Sequence, residues 1–140
     1  MTGAFESCRM WARMTAVTPH RIVLAVGGAV AANLVVLALA PVIVGAGGFD
    51  PFVVPPVAIA SAVGAIGGVV VYEGFRRAFG DAADRRFVIV PLLVTALSFL
   101  TLQQAARFEG ATTGRLAFLG TMHVVAAAVV VAALVDWEAV

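Results

Sequence analysis

Residues 22–44 read IVLAVGGAVAANLVVLALAPVIV, a run of 23 residues without a charged side chain. A helix needs about 20 predominantly apolar residues to cross the hydrocarbon core of a bilayer. The stretch Ala38-Leu39-Ala40 is similar to a signal-peptidase site. The run is nevertheless longer than the apolar region of a signal peptide, so we interpret it as a retained membrane span.

Three further apolar runs follow, and each predicts another membrane span. The four spans are predicted at about 22–44, 56–75, 87–105 and 115–135. Their connections are short, which favours antiparallel neighbours in one bundle. The sequence therefore predicts an all-α, integral membrane four-helix bundle with up-down topology over residues 21–140, with a kink at Pro91 in the third span.

Residues 1–20 precede the first span and form a separate predicted segment. Phe5, Cys8, Trp11 and Met14 recur every three residues and so share one face of a helix. This pattern predicts a short amphipathic helix on the cytoplasmic leaflet. A cytoplasmic tail without fixed structure is the alternative interpretation.

The composition excludes several classes of protein. Hydrophobic residues make up 62% of the chain and charged residues 12%, whereas soluble domains have about 45–50% and about 25%. A net charge of +1 provides no basic field for nucleic acid. One cysteine and two histidines are too few for a disulfide or a self-contained Cys/His zinc site, and no cofactor is expected.

The distribution of arginines predicts the orientation in the membrane, because cytoplasmic loops are enriched in positive charge. With both termini inside, seven arginines face the cytoplasm and two face the outside. The predicted location is therefore the cytoplasmic membrane, with both termini cytoplasmic. The cytoplasmic-facing charges nearest the spans are Arg21, Arg76, Arg77, Arg85 and Arg86.

Small residues mark predicted sites of close helix packing. Ala60, Gly64 and Gly68 are spaced by four along the second span, and Gly120 and Ala127 lie in the fourth. Such residues let helix backbones approach closely in lipid. Two interpretations stay open: packing within one chain, or a homodimer interface through Gly64 and Gly68.

A few polar residues lie within the apolar runs, where polar groups are costly and often functional. They are predicted to converge in the outer half of the bundle. One interpretation is interhelical hydrogen bonding, and the other is a small polar cavity that binds a ligand. The predicted cluster consists of Asn33, Ser61, Ser98, Thr101 and His123.

Catalysis is not expected. A Ser-His-Asp arrangement needs an acid beside His123, but Asp136 is at the far end of the same predicted helix and Asp50 is in a loop. His20 and His123 lie at opposite levels of the bundle, too far apart to hold one haem between them.

Several segments resemble an uncharacterised family of small four-helix membrane proteins found in actinobacteria and haloarchaea. The resemblance covers about three-quarters of the chain, from Asn33 to the end of the fourth span. It implies four spans and draws attention to Asn33 and His123, without implying an activity. The similar segments are Asn33-Leu34-Val35-Val36, Pro55-Pro56, residues 63–68 (VGAIGG), Arg76-Arg77, Leu97-Ser98-Phe99 and residues 122–128 (MHVVAAA).

The sequence leaves two hypotheses for function. The first is a non-enzymatic accessory or interaction subunit whose partners are the bilayer and a second copy or another membrane protein. The alternative is a small transporter or ligand-binding membrane protein that uses the polar cavity. The two differ in whether His123 and Ser98 line a pocket or are sealed by neighbouring helices.

Overall fold

The computed structural model describes residues 17–45 and 47–138, which contain helices and no strands. The predicted all-helical class is therefore confirmed, while the predicted amphipathic helix falls mostly outside the described residues. A 3-10 turn at Gly80–Ala82 joins the second and third helices. The helices are α1 (Pro19–Val44), α2 (Val54–Phe79), α3 (Ala83–Phe87), α4 (Ile89–Ala105) and α5 (Thr113–Leu134).

Three stretches of the described chain are long and apolar enough to cross a membrane: Pro19–Val44, Val54–Phe87 and Thr113–Leu134. The fourth apolar helix, α4, has 17 residues, which corresponds to about 25 Å at 1.5 Å per residue. This length is slightly less than the hydrocarbon core of about 30 Å. The third predicted span is thus apolar but shorter than the others.

Prolines mark where the helices begin and where one is interrupted. Pro19 and Pro55 lie in the first turns of α1 and α2, where the missing N–H leaves no hydrogen bond unmade. Pro91 cannot donate to the carbonyl of Phe87 four residues earlier. The regular hydrogen bonding is interrupted at Val88, between α3 and α4, but Val88 itself keeps helical dihedrals (φ −55°, ψ −28°). The kink at Pro91 stays a prediction.

Helix α5 lies at the centre of the bundle and packs against α1, α2 and α4. Small residues allow the closest approaches. A Cβ atom added at Gly28 would lie 3.0 Å from Cγ1 of Val129, and one at Gly68 would lie 2.8 Å from Cγ1 of Val130. Ala25 and Ala29 of α1 are completely buried in the same core. These contacts hold α1 and α2 against α5 around Val129 and Val130.

One end of the molecule, here called the loop end, contains the connection after α1 and the 106–112 connection before α5. Arg115 is buried there and donates to the carbonyls of Gly45 (3.1 Å) and Gly110 (2.7 Å). Gly110 has φ +74°, and a Cβ atom there would be 2.6 Å from the carbonyl oxygen of Gly48. The two connections therefore require glycine at this contact.

The opposite end, here called the terminal end, contains Val17, residues 80–88 and residues 135–138. The Tyr72 hydroxyl donates to Asp84, whose carboxylate also accepts from the backbone N–H of Asp136 (3.2 Å). The N–H of Val17 donates to Glu73 at 3.1 Å. These bonds tie both ends of the described chain to α2 and α3.

The outer surface of the bundle is apolar. Val23, Val42 and Leu92 are 68%, 84% and 68% exposed. Soluble monomers rarely expose so many large apolar side chains together. An apolar surface of this kind is consistent with contact to the bilayer.

Candidate ligand-binding cavity

A cavity of about 580 Å³ lies between α2, α4 and α5. Helices α2 and α4 hardly approach each other, so the cavity occupies the space between them, with α5 behind it. Exposed residues of both helices, including Ala60, Gly64 and Val94, form its rim. The cavity is consequently open along the side of the bundle.

Four of the five residues in the predicted polar cluster line this cavity: Asn33, Ser61, Ser98 and His123. Thr101 does not; it is exposed, and its hydroxyl donates to the carbonyl of Ser98 in its own helix. The structure thus brings residues from α1, α2, α4 and α5 to one space, whereas Thr101 lies outside it.

Asn33 and Ser61 form the direct polar contact between α1 and α2. The side-chain amide of Asn33 donates to Oγ of Ser61 at 2.8 Å, and the Ser61 hydroxyl donates to the carbonyl of Val57 at 2.7 Å. Both residues are buried. The Oδ1 atom of Asn33 is buried without a hydrogen-bond partner in the described part of the chain, a situation that costs about 1–3 kcal/mol.

His123 is half-buried on α5, and its Nδ1 lies 2.8 Å from the carbonyl oxygen of Leu119. A carbonyl only accepts, so Nδ1 carries the proton in this contact. In the neutral ring, Nε2 is then an acceptor. No bond to Nε2 is formed within residues 17–45 and 47–138.

Ser98 lines the cavity from α4, and its hydroxyl donates to the carbonyl of Thr95 at 2.7 Å. The polar residues therefore share a space without forming one connected network. Asn33 and Ser61 are bonded to each other, while Ser98 and His123 each bond to their own helix backbone.

The predicted packing residues have different surroundings. Gly68 contacts Val130, and a Cβ atom at Gly120 would be 3.3 Å from the ring of Phe99. A Cβ atom at Gly64 would meet no atom within 4 Å. Ala60, Gly64 and Ala127 line the cavity. Within the described chain, Gly68 and Gly120 allow close helix contact, and Gly64 leaves open space.

A family model matches residues 12–138 of the chain and thereby covers the whole bundle and its cavity. The chain belongs to DUF6069, a family of unknown function. This membership confirms the predicted resemblance to an uncharacterised family. No curated protein and no solved structure matches the chain.

In this DUF6069 chain, the predicted cytoplasmic-facing arginines gather at the terminal end. Arg21 donates to the carbonyl of Leu134 at 3.0 Å. Arg77 forms an ion pair with Glu73 at 3.1 Å. Two others lie over aromatic rings, Arg76 over Tyr72 (5.9 Å to the centroid) and Arg86 over Phe79 (4.3 Å). Arg85 is exposed in α3.

Sequence reasoning missed the roles of Arg115 and Phe87. Arg115 is one of the two arginines that the sequence places on the outside, but it is buried and joins two connections. The residues around Arg115 do not indicate its burial, because its hydrogen-bond partners are backbone carbonyls, which any residue provides. The sequence predicts Phe87 only as the start of a span, whereas its ring packs edge-to-face on Tyr72 at 4.9 Å and lines one end of the cavity.

The cavity is lined by apolar residues, a few polar residues and His123, and no Arg, Asp or Glu is among the described residues that line it. In the same described ranges, no three or more His, Cys, Asp or Glu side chains are placed to hold a metal ion. The chemistry that this DUF6069 cavity offers is therefore apolar contact with a few hydrogen-bonding groups.

Proposed function

We propose that this protein is a multi-pass membrane protein that binds an amphiphilic molecule of the bilayer in the cavity between α2, α4 and α5. The observation that carries the proposal is that Ser98 and His123 line an open cavity instead of being sealed by neighbouring helices. Ligand sites are typically concave and mostly apolar, with a few placed polar groups. This cavity has that composition.

The proposed arrangement in the membrane is an antiparallel up-down bundle of four spans with both termini in the cytoplasm. A fourth crossing is supported by the position of α4, which starts beside the terminal end and leads into the 106–112 connection of the loop end. Arg21, Arg76 and Arg77 at the terminal end support a cytoplasmic location of that end.

Binding is proposed without catalysis. No carboxylate lines the cavity in the described ranges, so His123 has no acidic partner there. Its Nδ1 is engaged by the carbonyl of Leu119. Ser98 donates to the carbonyl of Thr95 and not to His123, so the serine, the histidine and an orienting acid are not assembled as in a hydrolytic site.

An accessory or interaction subunit is the second candidate function. It is favoured by the open space beside Gly64 and Gly67, which are exposed on α2 and have no atom within 4 Å of an added Cβ. A helix of a second copy or of another membrane protein would then fill the gap that we assign to a lipid-like molecule.

The test places a larger side chain in the cavity at a position where it meets no other part of the protein. Gly64→Leu places a side chain in the cavity, and Gly74→Leu is the matched control, because Gly74 also has no atom within 4 Å but does not line the cavity. Native mass spectrometry of protein extracted from its own membranes should detect a bound lipid-like molecule in the wild type and in Gly74→Leu. It should be lost in Gly64→Leu.

Two results would contradict the proposal. One is a wild-type protein without a bound small molecule, and the other is a bound molecule that persists in Gly64→Leu. Detection of a dimer that Gly64→Leu separates would instead support the interaction subunit.

A further inference from the structure

The polar lining residues Asn33, Ser61, Ser98 and His123 lie between two apolar parts of the cavity. On the loop-end side the lining includes Pro51, Pro56 and Leu119, and this part is the shorter one: Ser61 lies five residues from Pro56 and ten from Val71 on α2. Towards the terminal end the lining side chains are apolar, with Val71, Phe87 and Val130 among them. A molecule with one polar end and one hydrocarbon end matches this division when its polar end points to the loop end.

The cavity is also long in the direction of the helix axes. Its lining on α2 extends from Pro56 to Val71, which is about 22 Å along the helix at 1.5 Å per residue. Half of a bilayer core is about 15 Å thick. The cavity therefore accommodates the hydrocarbon chain of a molecule from one leaflet, reached through the gap between α2 and α4.

The donors of the lining polar residues are largely occupied. The hydroxyls of Ser61 and Ser98 donate to the carbonyls of Val57 and Thr95, and His123 donates to Leu119. What these groups still offer is acceptor capacity, above all the Nε2 of His123. Thr95 is an exception, because its hydroxyl forms no hydrogen bond in the described part of the chain.

Within the described chain, the cavity lining holds no permanently charged side chain, and His123 is its one titratable group. Among the described residues that line the cavity there is no Arg, Asp or Glu. Burying an unpaired phosphate or carboxylate in such surroundings carries a large desolvation cost. A neutral group needs no counter-charge, and one that donates a hydrogen bond can use the free acceptors of the lining.

We propose that the cavity selects amphiphiles whose polar end is an uncharged hydrogen-bond donor, such as an alcohol or an amide, and that Nε2 of His123 accepts this hydrogen bond. This inference rests on the proposed function and specifies its ligand class. Anionic lipid head groups are expected to bind less well, because no arginine lines the described cavity to pair with them.

The experiment compares three probes with the same alkyl chain: 1-dodecanol, methyl dodecyl ether and dodecyl phosphate. Each is titrated into the full-length protein in phosphatidylcholine nanodiscs, and bound molecules are counted by native mass spectrometry. The alcohol can donate one neutral hydrogen bond that the ether cannot. We therefore expect the alcohol to bind the wild type about threefold to tenfold more tightly than the ether. Dodecyl phosphate is expected to bind most weakly.

His123→Phe, which removes the acceptor, should reduce the alcohol-to-ether ratio to about one without weakening the ether. If this variant does not fold, the wild-type comparison alone decides. Equal binding of alcohol and ether to the wild type, or tightest binding of the phosphate, would overturn the inference.

The proposed function fails in a different way. Gly64→Leu would then leave the binding of all three probes unchanged, or none of them would bind. Alcohol and ether that bind equally, but are both displaced by Gly64→Leu, would overturn the ligand class alone.

Discussion

Asn33 forms one of the few polar contacts between the described helices of this bundle, a hydrogen bond from its side-chain amide to Ser61. Serine and threonine hydroxyls in helices also bond to carbonyls of their own helix. Ser98, and Thr121 on the exposed side of α5, do so here.

The unpartnered Oδ1 of Asn33 leads to a prediction about stability. Replacing both partners, in Asn33→Leu with Ser61→Ala, should leave the free energy of unfolding unchanged or higher, because a buried atom without a partner is removed. The adjoining cavity has room for the larger side chain. Ser61→Ala alone should destabilise by about 1–2 kcal/mol, since the amide of Asn33 then also lacks its acceptor. Unfolding in detergent measures both, and a double variant that is less stable than the wild type contradicts the prediction.

Arg115 leads to a second prediction at this scale. Arg115→Met removes the donors to Gly45 and Gly110, and we expect a loss of about 1.5–3 kcal/mol in the free energy of unfolding. Arg107→Met is the control, because Arg107 is exposed in the same connection. Thermal melting in detergent distinguishes them. Equal melting temperatures for the two variants would refute a clamping role for Arg115.

At the scale of helices, apolar length was enough to find α1, α2, α4 and α5, and their bounds lie within a few residues of the predicted spans. The exception is α3, because residues 80–88 contain four charged side chains and resemble a polar loop. Its fold depends on a partner outside the segment, because Tyr72 of α2 contacts both Asp84 and Phe87. At the cavity, the convergence of Asn33, Ser61, Ser98 and His123 was predictable from helix rise and the order of the spans, whereas their hydrogen bonds were not. The gap between α2 and α4 was equally unpredictable, because apolar composition does not indicate which helices touch.

The contrast between Gly64 and Gly68 can be tested on α2 itself. Alanine at either position gains about 1 kcal/mol of helix propensity. At Gly68 the new Cβ atom would lie 2.8 Å from Val130, and such overpacking costs about 1–3 kcal/mol. Gly64→Ala should therefore raise the free energy of unfolding or leave it unchanged, and Gly68→Ala should lower it. Unfolding in detergent provides the comparison, and equal effects would contradict this account of the helix contacts.

For the whole molecule, the distribution of charge differs between its two ends. The terminal end contains Arg21, Arg76, Arg77, Arg85 and Arg86, whereas the described loop end contains Arg107 and the buried Arg115. The sequence predicted this asymmetry because it depends only on the order of spans and connections. It could not predict that Arg115 is inaccessible, which strengthens the asymmetry of solvent-facing charge.

The proposed orientation predicts a labelling pattern in intact cells. In a Cys8→Ser background, Glu109→Cys at the loop end should react with a membrane-impermeant maleimide added outside. Asp81→Cys at the terminal end should react only after the membrane is permeabilised. Both positions are exposed in the structure, so access differs only through the side of the membrane. The reverse pattern would refute cytoplasmic termini.

The separation of α2 from α4 affects how quickly an occupant could be replaced. Both helices are supported by α5, and α2 also by α1, so none of these contacts has to break when a molecule leaves the space between them. On the proposed function, turnover of the bound lipid would then be limited by lateral diffusion and by desolvation of its polar group. Helix rearrangement would not set the rate.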